Sequence, residues 1–162
     1  KYVAVEPNTY FEKALKEEHD ARGLTFPLQF VGIKGEDIDI PSDEYDEKFD
    51  VVISTHVLCS VDSVTSVLEN AGRALKPGGR YVFMEHVMAQ EERSFVWYSQ
   101  LLMAPILKIV GAGCSFRNLR DDIESYFGGS DEFTVDIVNF DAPMPKFMFP
   151  VRPHIKGIVT KK

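Results

Sequence analysis

Leu75–His86, with the sequence LKPGGRYVFMEH, contains a helix stop followed directly by a buried strand. Pro77 cannot continue a helix and Gly78 accepts a positive φ, so the helix predicted over 62–75 ends here. The apolar run at 81–84 then predicts a strand that is covered on both faces, as the strands of parallel sheets are. A helix that gives way to such a strand is typical of α/β proteins.

The same alternation of short apolar runs and amphipathic segments extends over the rest of the chain. The predicted strands are 2–5, 28–33, 49–54, 81–84, 133–140 and 154–160. The predicted helices are a first one capped by Asn8, followed by 62–75, 92–110 and 118–127. This spacing predicts a Rossmann-like α/β fold with a mostly parallel sheet and helices on both faces. The last two strands follow each other without a helix and are expected to pair antiparallel at the sheet edge.

The composition is that of an ordinary globular domain. The 162 residues include 18 Lys and Arg against 25 Asp and Glu, which gives a formal net charge of −7, and 44% are hydrophobic. These values exclude a collagen, a low-complexity disordered chain and a disulfide scaffold, and the length suits one domain with one core. Because phosphate contacts need a basic face, the acidic balance argues against nucleic acid as a partner.

Polar residues follow four of the predicted strands at the point where each strand ends. They are Glu6, Gly35, Glu36, Asp37, Thr55, His56, Glu85 and His86. In open α/β sheets, ligands bind beyond the carboxyl ends of the strands. We therefore expect these residues to line one rim of the sheet and to form the ligand site.

Two of these positions have a functional and a structural interpretation, and the sequence leaves both open. A carboxylate such as Glu6, just past a strand, can accept both hydroxyl protons of a ribose cis-diol. It can equally stabilise the N-terminus of the helix that follows Asn8. The acidic turn at 35–37 can present a carboxylate to an adenine amine, or it can be a solvated turn.

The histidines and cysteines carry weaker signals. His56 and His86 are candidates for a direct catalytic role, although each can also be a structural histidine. Cys59 follows an apolar run and is expected to be a buried small hydrophobe. The spacing of the two cysteines and the histidines matches no metal-binding pattern, so no metal site is predicted, and we expect reduced thiols.

Four segments, VEPN at 5–8, GED at 35–37, FDVV at 49–52 and LKPGGR at 75–80, resemble the successive motifs of class I S-adenosylmethionine-dependent methyltransferases. The LKPGG turn before an apolar strand is the most specific of them. The chain is similar in more detail to small methyltransferase-like proteins that methylate alkyl thiols and associate with the endoplasmic reticulum and lipid droplets. The segments that carry this likeness are 6–8 with 11–13, 57–61, 83–87 and 152–155.

The resemblance implies S-adenosylmethionine as cofactor and a small, lipophilic acceptor, in particular a thiol. The implied cofactor-binding residues are Glu6, Pro7 and Asn8 near the ribose, Gly35, Glu36 and Asp37 near the adenine, and Thr55 and His56 near the methionine end. The implied acceptor-facing residues are Glu85, His86, Trp97 and Tyr98. His56 and His86 are the implied catalytic residues, because a base beside a thiol raises its thiolate fraction.

The chain departs from the family at its start. Lys1 is followed at once by the apolar strand at 2–5, whereas the family has a further strand and a glycine-rich loop before this point. We therefore expect 1–162 to be a single, truncated methyltransferase domain that binds the cofactor weakly or not at all by itself. Two rival functions remain open: a catalytically inactive, methyltransferase-like binding module, and a nicotinamide-dependent Rossmann oxidoreductase.

The helix at 92–110 is apolar over much of its circumference. Core packing explains this pattern, and so does a lipophilic substrate mouth or a helix that dips into a membrane interface. The chain has no run of 18 apolar residues, so a spanning helix is not expected. The resemblance implies an intracellular location on the cytosolic face of the endoplasmic reticulum or a lipid droplet. The sequence leaves the oligomeric state open.

Overall fold

The computed structural model describes residues 1–38, 45–110 and 113–162. Its strands are β1 (Tyr2–Val5), β2 (Leu28–Val31), β3 (Phe49–Thr55), β4 (Leu75–His86), β5 (Phe133–Asp141) and β6 (Pro153–Lys161). Its α-helices are α1 (Tyr10–Ala21), α2 (Val64–Ala74), α3 (Phe95–Val110) and α4 (Leu119–Phe127). Two short 3₁₀ helices lie at Gly35–Asp37 and Lys146–Val151. Every predicted helix and strand is present, and the differences lie at the ends.

The strands form two sheets. Strands β1 and β2 pair in parallel as a two-stranded sheet, and the second sheet has the order β3-β4-β6-β5. Within the second sheet β3 and β4 are parallel, whereas β6 is antiparallel to both β4 and β5. The predicted antiparallel pairing of the last two strands is confirmed. Of these two strands, however, only β5 lies at a sheet edge, because β6 inserts between β4 and β5.

The turn between α2 and β4 shows how the helix stop works. Ser63 caps the start of α2 by accepting a hydrogen bond from the Ser66 backbone N–H at 3.2 Å. Helix α2 ends at Ala74, and the chain continues as strand at once, with Leu75 paired to Phe49 and a register shift before the next pairs. Gly78 has φ +79°. The predicted strand therefore begins earlier than 81, because the glycine-containing turn is a bulge within β4 and not a separate loop.

The main core lies between the four-stranded sheet and helices α2 and α4. Its fully buried side chains include Leu58, Leu68, Leu75, Tyr81, Phe83, Leu119, Ile123, Phe127, Ile155 and Val159. A glycine makes room for one of the rings. A Cβ at Gly157 would lie 2.6 Å from the Phe83 ring and 2.3 Å from the carbonyl oxygen of Asp136. Close packing of β6 between its two neighbours thus requires glycine at this position.

Helix α3 is fastened to the domain by a polar side chain and leaves much of its apolar surface exposed. Gln100 is fully buried; its Nε2 donates to the carbonyls of Val87 at 3.0 Å and Pro150 at 2.8 Å. Phe95 and Leu102 are each 77% exposed and Ile109 is 83% exposed. The prediction of a largely apolar helix is confirmed, but core packing accounts for only part of it. Within the described residues, α3 and the other helices are all too short or too polar to cross a bilayer.

Candidate functional site

Three histidines meet at the carboxyl ends of β3 and β4. His56 follows β3, and its backbone N–H donates to the carbonyl of Met84 at 3.0 Å, which ties the two strand ends together. His86 is the last residue of β4 and pairs with His154 of β6. The ring centroids are 5.2 Å apart for His56 and His154, and His86 lies 6.2 Å from each of them. Parallel pairing of β3 and β4 brings the first two together, and β6 adds the third.

Hydrogen bonds fix the tautomers of His154 and His56. His154 Nδ1 lies 2.8 Å from the Arg152 carbonyl oxygen, which only accepts, so this nitrogen carries the proton. In the neutral ring, His154 Nε2 is then the acceptor for His56 Nε2–H at 3.0 Å. This leaves the lone pair of a neutral His56 on Nδ1. Partial burial and the nearby His154 both lower the pKa of His56, which favours the neutral form.

His56 has a backbone conformation that few residues other than glycine adopt, with φ +54°. Histidine is among the residues that tolerate this region better than most. Thr55, the residue before it, is exposed at the end of β3. The chain bends at His56, directly after β3, and the His56 ring lies against the ring of His154.

Glu85 holds the loop after β3 in place. The residue is fully buried, and its Oε1 accepts hydrogen bonds from Ser54 Oγ at 3.0 Å and the Val57 backbone N–H at 3.2 Å. Its Oε2 accepts from the Leu58 N–H at 3.2 Å. Burial raises the pKa of Glu85 to about 7, although these hydrogen bonds oppose the shift. The described contacts give Glu85 a structural role, and its contact with an acceptor stays a prediction.

His86 lies in a cluster with the two cysteines. Its Nε2 is 2.8 Å from Cys114 Sγ, and Nδ1 is buried with no hydrogen-bond partner among the described residues. Burial, followed by the charges of His154 and His56, lowers the pKa of His86 to about 4. Burial also raises the pKa of Cys59 to about 12. His86 is therefore a weak base, and its predicted catalytic role has less support from its surroundings than that of His56.

The structure groups the two cysteines with a histidine, which their spacing in the sequence did not indicate. One ligand atom each of Cys59, His86 and Cys114 lies within 4.8 Å of the others. Cys and His ligands in metal sites commonly come in closely spaced pairs along the chain, but His86 and Cys114 are 28 positions apart. The sequence carried no signal for this grouping, because the fold alone brings the three residues together.

Glu6 lies at the end of β1 and takes part in the start of α1. Its Oε1 accepts a hydrogen bond from the Asn8 backbone N–H at 2.9 Å. Asn8 Oδ1 in turn accepts from the Tyr10 N–H at 3.2 Å. Pro7 lies between Glu6 and Asn8 in the sequence. The structural interpretation of Glu6 is thus present in the molecule. It uses one carboxylate oxygen, and the predicted ribose contact stays a prediction.

The turn at Gly35–Asp37 is held from α2. Asn70 Nδ2 donates to the carbonyl oxygens of Gly35 at 2.9 Å and Glu36 at 3.4 Å. Glu36 Oε1 accepts from the Asp62 N–H at 2.9 Å, whereas Glu36 Oε2 is buried and has no partner among the described residues. Asp37 is exposed. A buried carboxylate oxygen without a donor is costly, so this position fits a ligand that supplies one.

An open groove of about 330 Å³ extends from His154 between the 87–96 segment and the end of β5. The other residues that line it include Val87, Ala89, Ser94, Val96, Asn139 and Phe140. Trp97 and Tyr98 lie nearby in the sequence on α3, where their ring centroids are 5.1 Å apart. Neither is among the described residues that line the groove, so their predicted contact with the acceptor stays a prediction. His154 and Cys114 were missed as site residues.

The comparison with solved structures identifies the fold. A SAM-dependent methyltransferase from Methanosarcina mazei superposes with a TM-score of 0.67, covering 98% of this chain and 81% of that one at 14% sequence identity. The architecture is therefore the Rossmann-like fold of such enzymes, as predicted. Residues 1–83, more than half of the chain, match the family model described as "Methyltransferase domain". The chain belongs to this methyltransferase domain family.

Curated relatives are more similar in sequence. The thiol S-methyltransferase TMT1B of Rattus norvegicus is 36% identical over 164 residues, which cover 99% of this chain. The human thiol S-methyltransferase TMT1A is 32% identical over 160 residues, which cover 98% of this chain. In both comparisons the matched part is 62% of the relative's own length. The chain thus spans a little under two thirds of the curated relatives that it matches.

Proposed function

We propose that this protein transfers a methyl group from S-adenosylmethionine to a small, lipophilic thiol. Membership of the methyltransferase domain family supports the class of reaction. The thiol acceptor is supported by two relatives named thiol S-methyltransferases, whose similarity extends over nearly the whole chain. The observation that carries the proposal is the hydrogen-bonded pair of His56 and His154, of which His154 lines the groove.

The residues of the 35–37 turn fit the cofactor. Buried Glu36 Oε2 has no donor among the described residues, and an adenine amine or a ribose hydroxyl would supply one. Asn70 holds the backbone of this turn through two carbonyls. Glu6 contributes a second carboxylate at the end of β1. Negative charge along this rim also favours a ligand that carries a positive charge.

His56 is the proposed proton acceptor. Bound S-adenosylmethionine supplies an electrophilic sulfonium methyl group, which an acceptor sulfur can take up by in-line displacement. Because His154 orients the ring, His56 Nδ1 holds the lone pair that can accept the thiol proton. A free cysteine thiol has a pKa of about 8.5, and a simple alkyl thiol is less acidic still, so most of the acceptor is protonated at neutral pH. The groove walls would hold the acceptor in position, which is the main contribution that such a reaction needs.

Thiols of different acidity test the role of His56. We expect His56→Gln to lower the methylation rate of an alkyl thiol by about 10²-fold, the lower end of the usual range for a general base. An aromatic thiol that is already ionised at neutral pH should lose much less, because it needs no base. His19→Gln, which changes a histidine of α1 outside the candidate site, is the matched control. Equal losses for both thiols would contradict proton transfer to His56.

Titration calorimetry tests the cofactor and the two rival functions. We expect at most weak binding of S-adenosylmethionine, measurable only at high ligand concentration, and no binding of a nicotinamide dinucleotide. Because the sequence predicts weak binding, the methylation assay is run at high cofactor concentration. Binding of the cofactor without methylation of any thiol in the panel would instead favour a catalytically inactive binding module. Binding of the dinucleotide alone would favour an oxidoreductase.

We also propose that α3 lies on a lipid surface. Phe95, Leu102, Ile106 and Ile109 expose between 59% and 83% of their surfaces, and Lys108 is the one charged side chain of the helix. The exposed apolar side chains lie on one face of the helix, and such a face can insert into the interface of a bilayer. In line with the resemblance, the proposed surface is the cytosolic face of the endoplasmic reticulum or a lipid droplet.

Liposome flotation tests this surface. We expect Leu102→Asp to reduce the fraction that floats with the vesicles, because it places a charge in the apolar face of α3. Tyr10→Asp, which changes a side chain that is 90% exposed on α1, is the matched control and should float like the wild type. Equal flotation of both variants and the wild type would contradict the assignment of α3.

A further inference from the structure

Cys59, His86 and Cys114 come from three separate segments and converge at one point. Cys59 follows β3, His86 ends β4, and Cys114 lies between α3 and α4. One ligand atom of each lies within 4.8 Å of the other two, and Cys59 and His86 are 3% and 8% exposed. This largely buried group of two sulfur ligands and one imidazole is not needed for the proton transfer proposed for His56 and calls for its own explanation.

Hydrogen bonds that do not involve the three ligand side chains hold the two cysteine segments together. The carbonyl oxygen of Cys59 accepts from the Ser115 N–H at 3.0 Å and from Ser115 Oγ at 2.9 Å. Arg117 Nη2 donates to the Val61 carbonyl at 2.6 Å, and the Arg117 carbonyl accepts from the Met88 N–H at 2.9 Å. The positions of the cluster are therefore set by the surrounding chain, as in a preorganised site.

His86 is available as a ligand. Its Nε2 lies 2.8 Å from Cys114 Sγ, and its Nδ1 has no hydrogen-bond partner among the described residues. No described protein group therefore fixes the tautomer of this ring, and Nε2 can present its lone pair. The Phe116 ring packs edge-on against the imidazole, with centroids 5.5 Å apart, and holds its orientation. A cation can thus replace the proton shared between His86 and Cys114.

We propose that Cys59, His86 and Cys114 bind one Zn²⁺ ion. Two thiolates and one imidazole are ligands that zinc prefers, and zinc is commonly four-coordinate. Binding forms two Zn–S bonds and one Zn–N bond and releases the two thiol protons to solvent. The charges of the ion and the two thiolates cancel, which suits a buried position.

The fourth position of the ion is open to water or another external ligand. Glu85 directly precedes His86 in the sequence. Both of its carboxylate oxygens already accept hydrogen bonds, from Ser54, Val57 and Leu58, so Glu85 is not assigned as the fourth ligand. Three protein ligands with one external ligand is the composition of zinc sites that keep an exchangeable position.

Cobalt and zinc titrations of the reduced full chain test the proposal. We expect one Co²⁺ per chain, with thiolate-to-cobalt charge-transfer absorption and the d–d bands of a four-coordinate ion, and displacement of cobalt by zinc. Cys59→Ser with Cys114→Ser should abolish the charge-transfer band, and His86→Gln should weaken binding at least tenfold. His19→Gln, which changes a histidine on α1, should bind like the wild type.

A second measurement needs no variant and so does not depend on whether the buried substitutions fold. We expect zinc to protect Cys114, the half-buried thiol, from alkylation in the wild type and a chelator to restore its reactivity. The proposal is overturned if the reduced wild type takes up no cobalt, or if the double cysteine variant folds and binds cobalt equally. Loss of both thiols to an internal disulfide, together with no uptake of metal after reduction, would overturn it in favour of a redox pair.

Discussion

Lys161 provides a stringent test of how the end of β6 is held. Its side chain is 8% exposed, and its Nζ donates to the carbonyls of Leu75 at 3.1 Å and Gly72 at 3.4 Å. The same amine lies 3.1 Å from Glu47 Oε1 and 3.7 Å from Glu132 Oε1. It thus satisfies carbonyls at the end of α2, where a positive charge also favours the helix dipole. We predict that Lys161→Met destabilises the fold.

The magnitude follows from what the amine contacts. Loss of the partner of the buried Leu75 carbonyl costs about 1–3 kcal/mol, and the longer bond to Gly72 adds less. The carboxylates of Glu47 and Glu132 are 54% and 56% exposed, so together they contribute under about 1 kcal/mol. Methionine fills a similar volume, so no large cavity term is added. We expect a loss of about 2–3 kcal/mol in the free energy of unfolding.

Urea unfolding followed by circular dichroism measures this loss, with the slope of the transition expected to stay unchanged. Lys162→Met is the matched control and should stay within about 0.5 kcal/mol of the wild type, because Lys162 is exposed. The loss should persist at high salt, since the hydrogen bonds to buried carbonyls are screened little. A loss that disappears at high salt, or one equal to that of the control, would refute this reasoning.

Three further substitutions test other parts of the structure. Gly157→Ala should cost about 1–3 kcal/mol in thermal or urea unfolding, because its Cβ would overlap the Phe83 ring, whereas Lys156→Ala should be nearly neutral. Ser63→Ala should cost about 1 kcal/mol through loss of the α2 cap, and Thr65→Ala, at an exposed position of the same helix, should cost less. Asn70→Ala should weaken cofactor binding in calorimetry about fivefold, the equivalent of about 1 kcal/mol, with little change in turnover at saturation. An unchanged affinity would show that the 35–37 turn does not contact the cofactor.

The helices and strands follow from local sequence, but the order of the strands does not. The helix stop and apolar run of 75–86 correctly predicted α2 and β4, since propensity and turn chemistry act over a few residues. The position of β6 between β4 and β5 depends on pairing with both partners at once. Gly157 makes that position possible, because it leaves space for the Phe83 ring. In the sequence, it is only a glycine within an apolar run.

The candidate site divides in the same way. Glu6, the 35–37 turn and His56 could be proposed from the sequence, because each directly follows a strand. His154 could not be paired with His56, since 98 positions separate them and the contact requires the antiparallel addition of β6. Cys114 lies in the segment between α3 and α4, and the fold of this segment places it beside His86. Such contacts are set by tertiary structure, and no local pattern in the sequence records them.

Glu85 shows that position after a strand does not by itself define a ligand contact. It ends an apolar run as Glu6 does, yet it is fully buried, and its carboxylate binds the backbone of the loop at 57–58. This loop lies directly after His56 and directly before Cys59. Glu85 therefore positions the loop that connects the two proposed sites. The carboxylates that the proposed sulfonium ligand would meet are those at the ends of β1 and β2. The acidic rim that the sequence predicts as one surface thus has two parts: Glu6 and the 35–37 turn, whose contact with a ligand stays a prediction, and Glu85, which shapes the loop after β3.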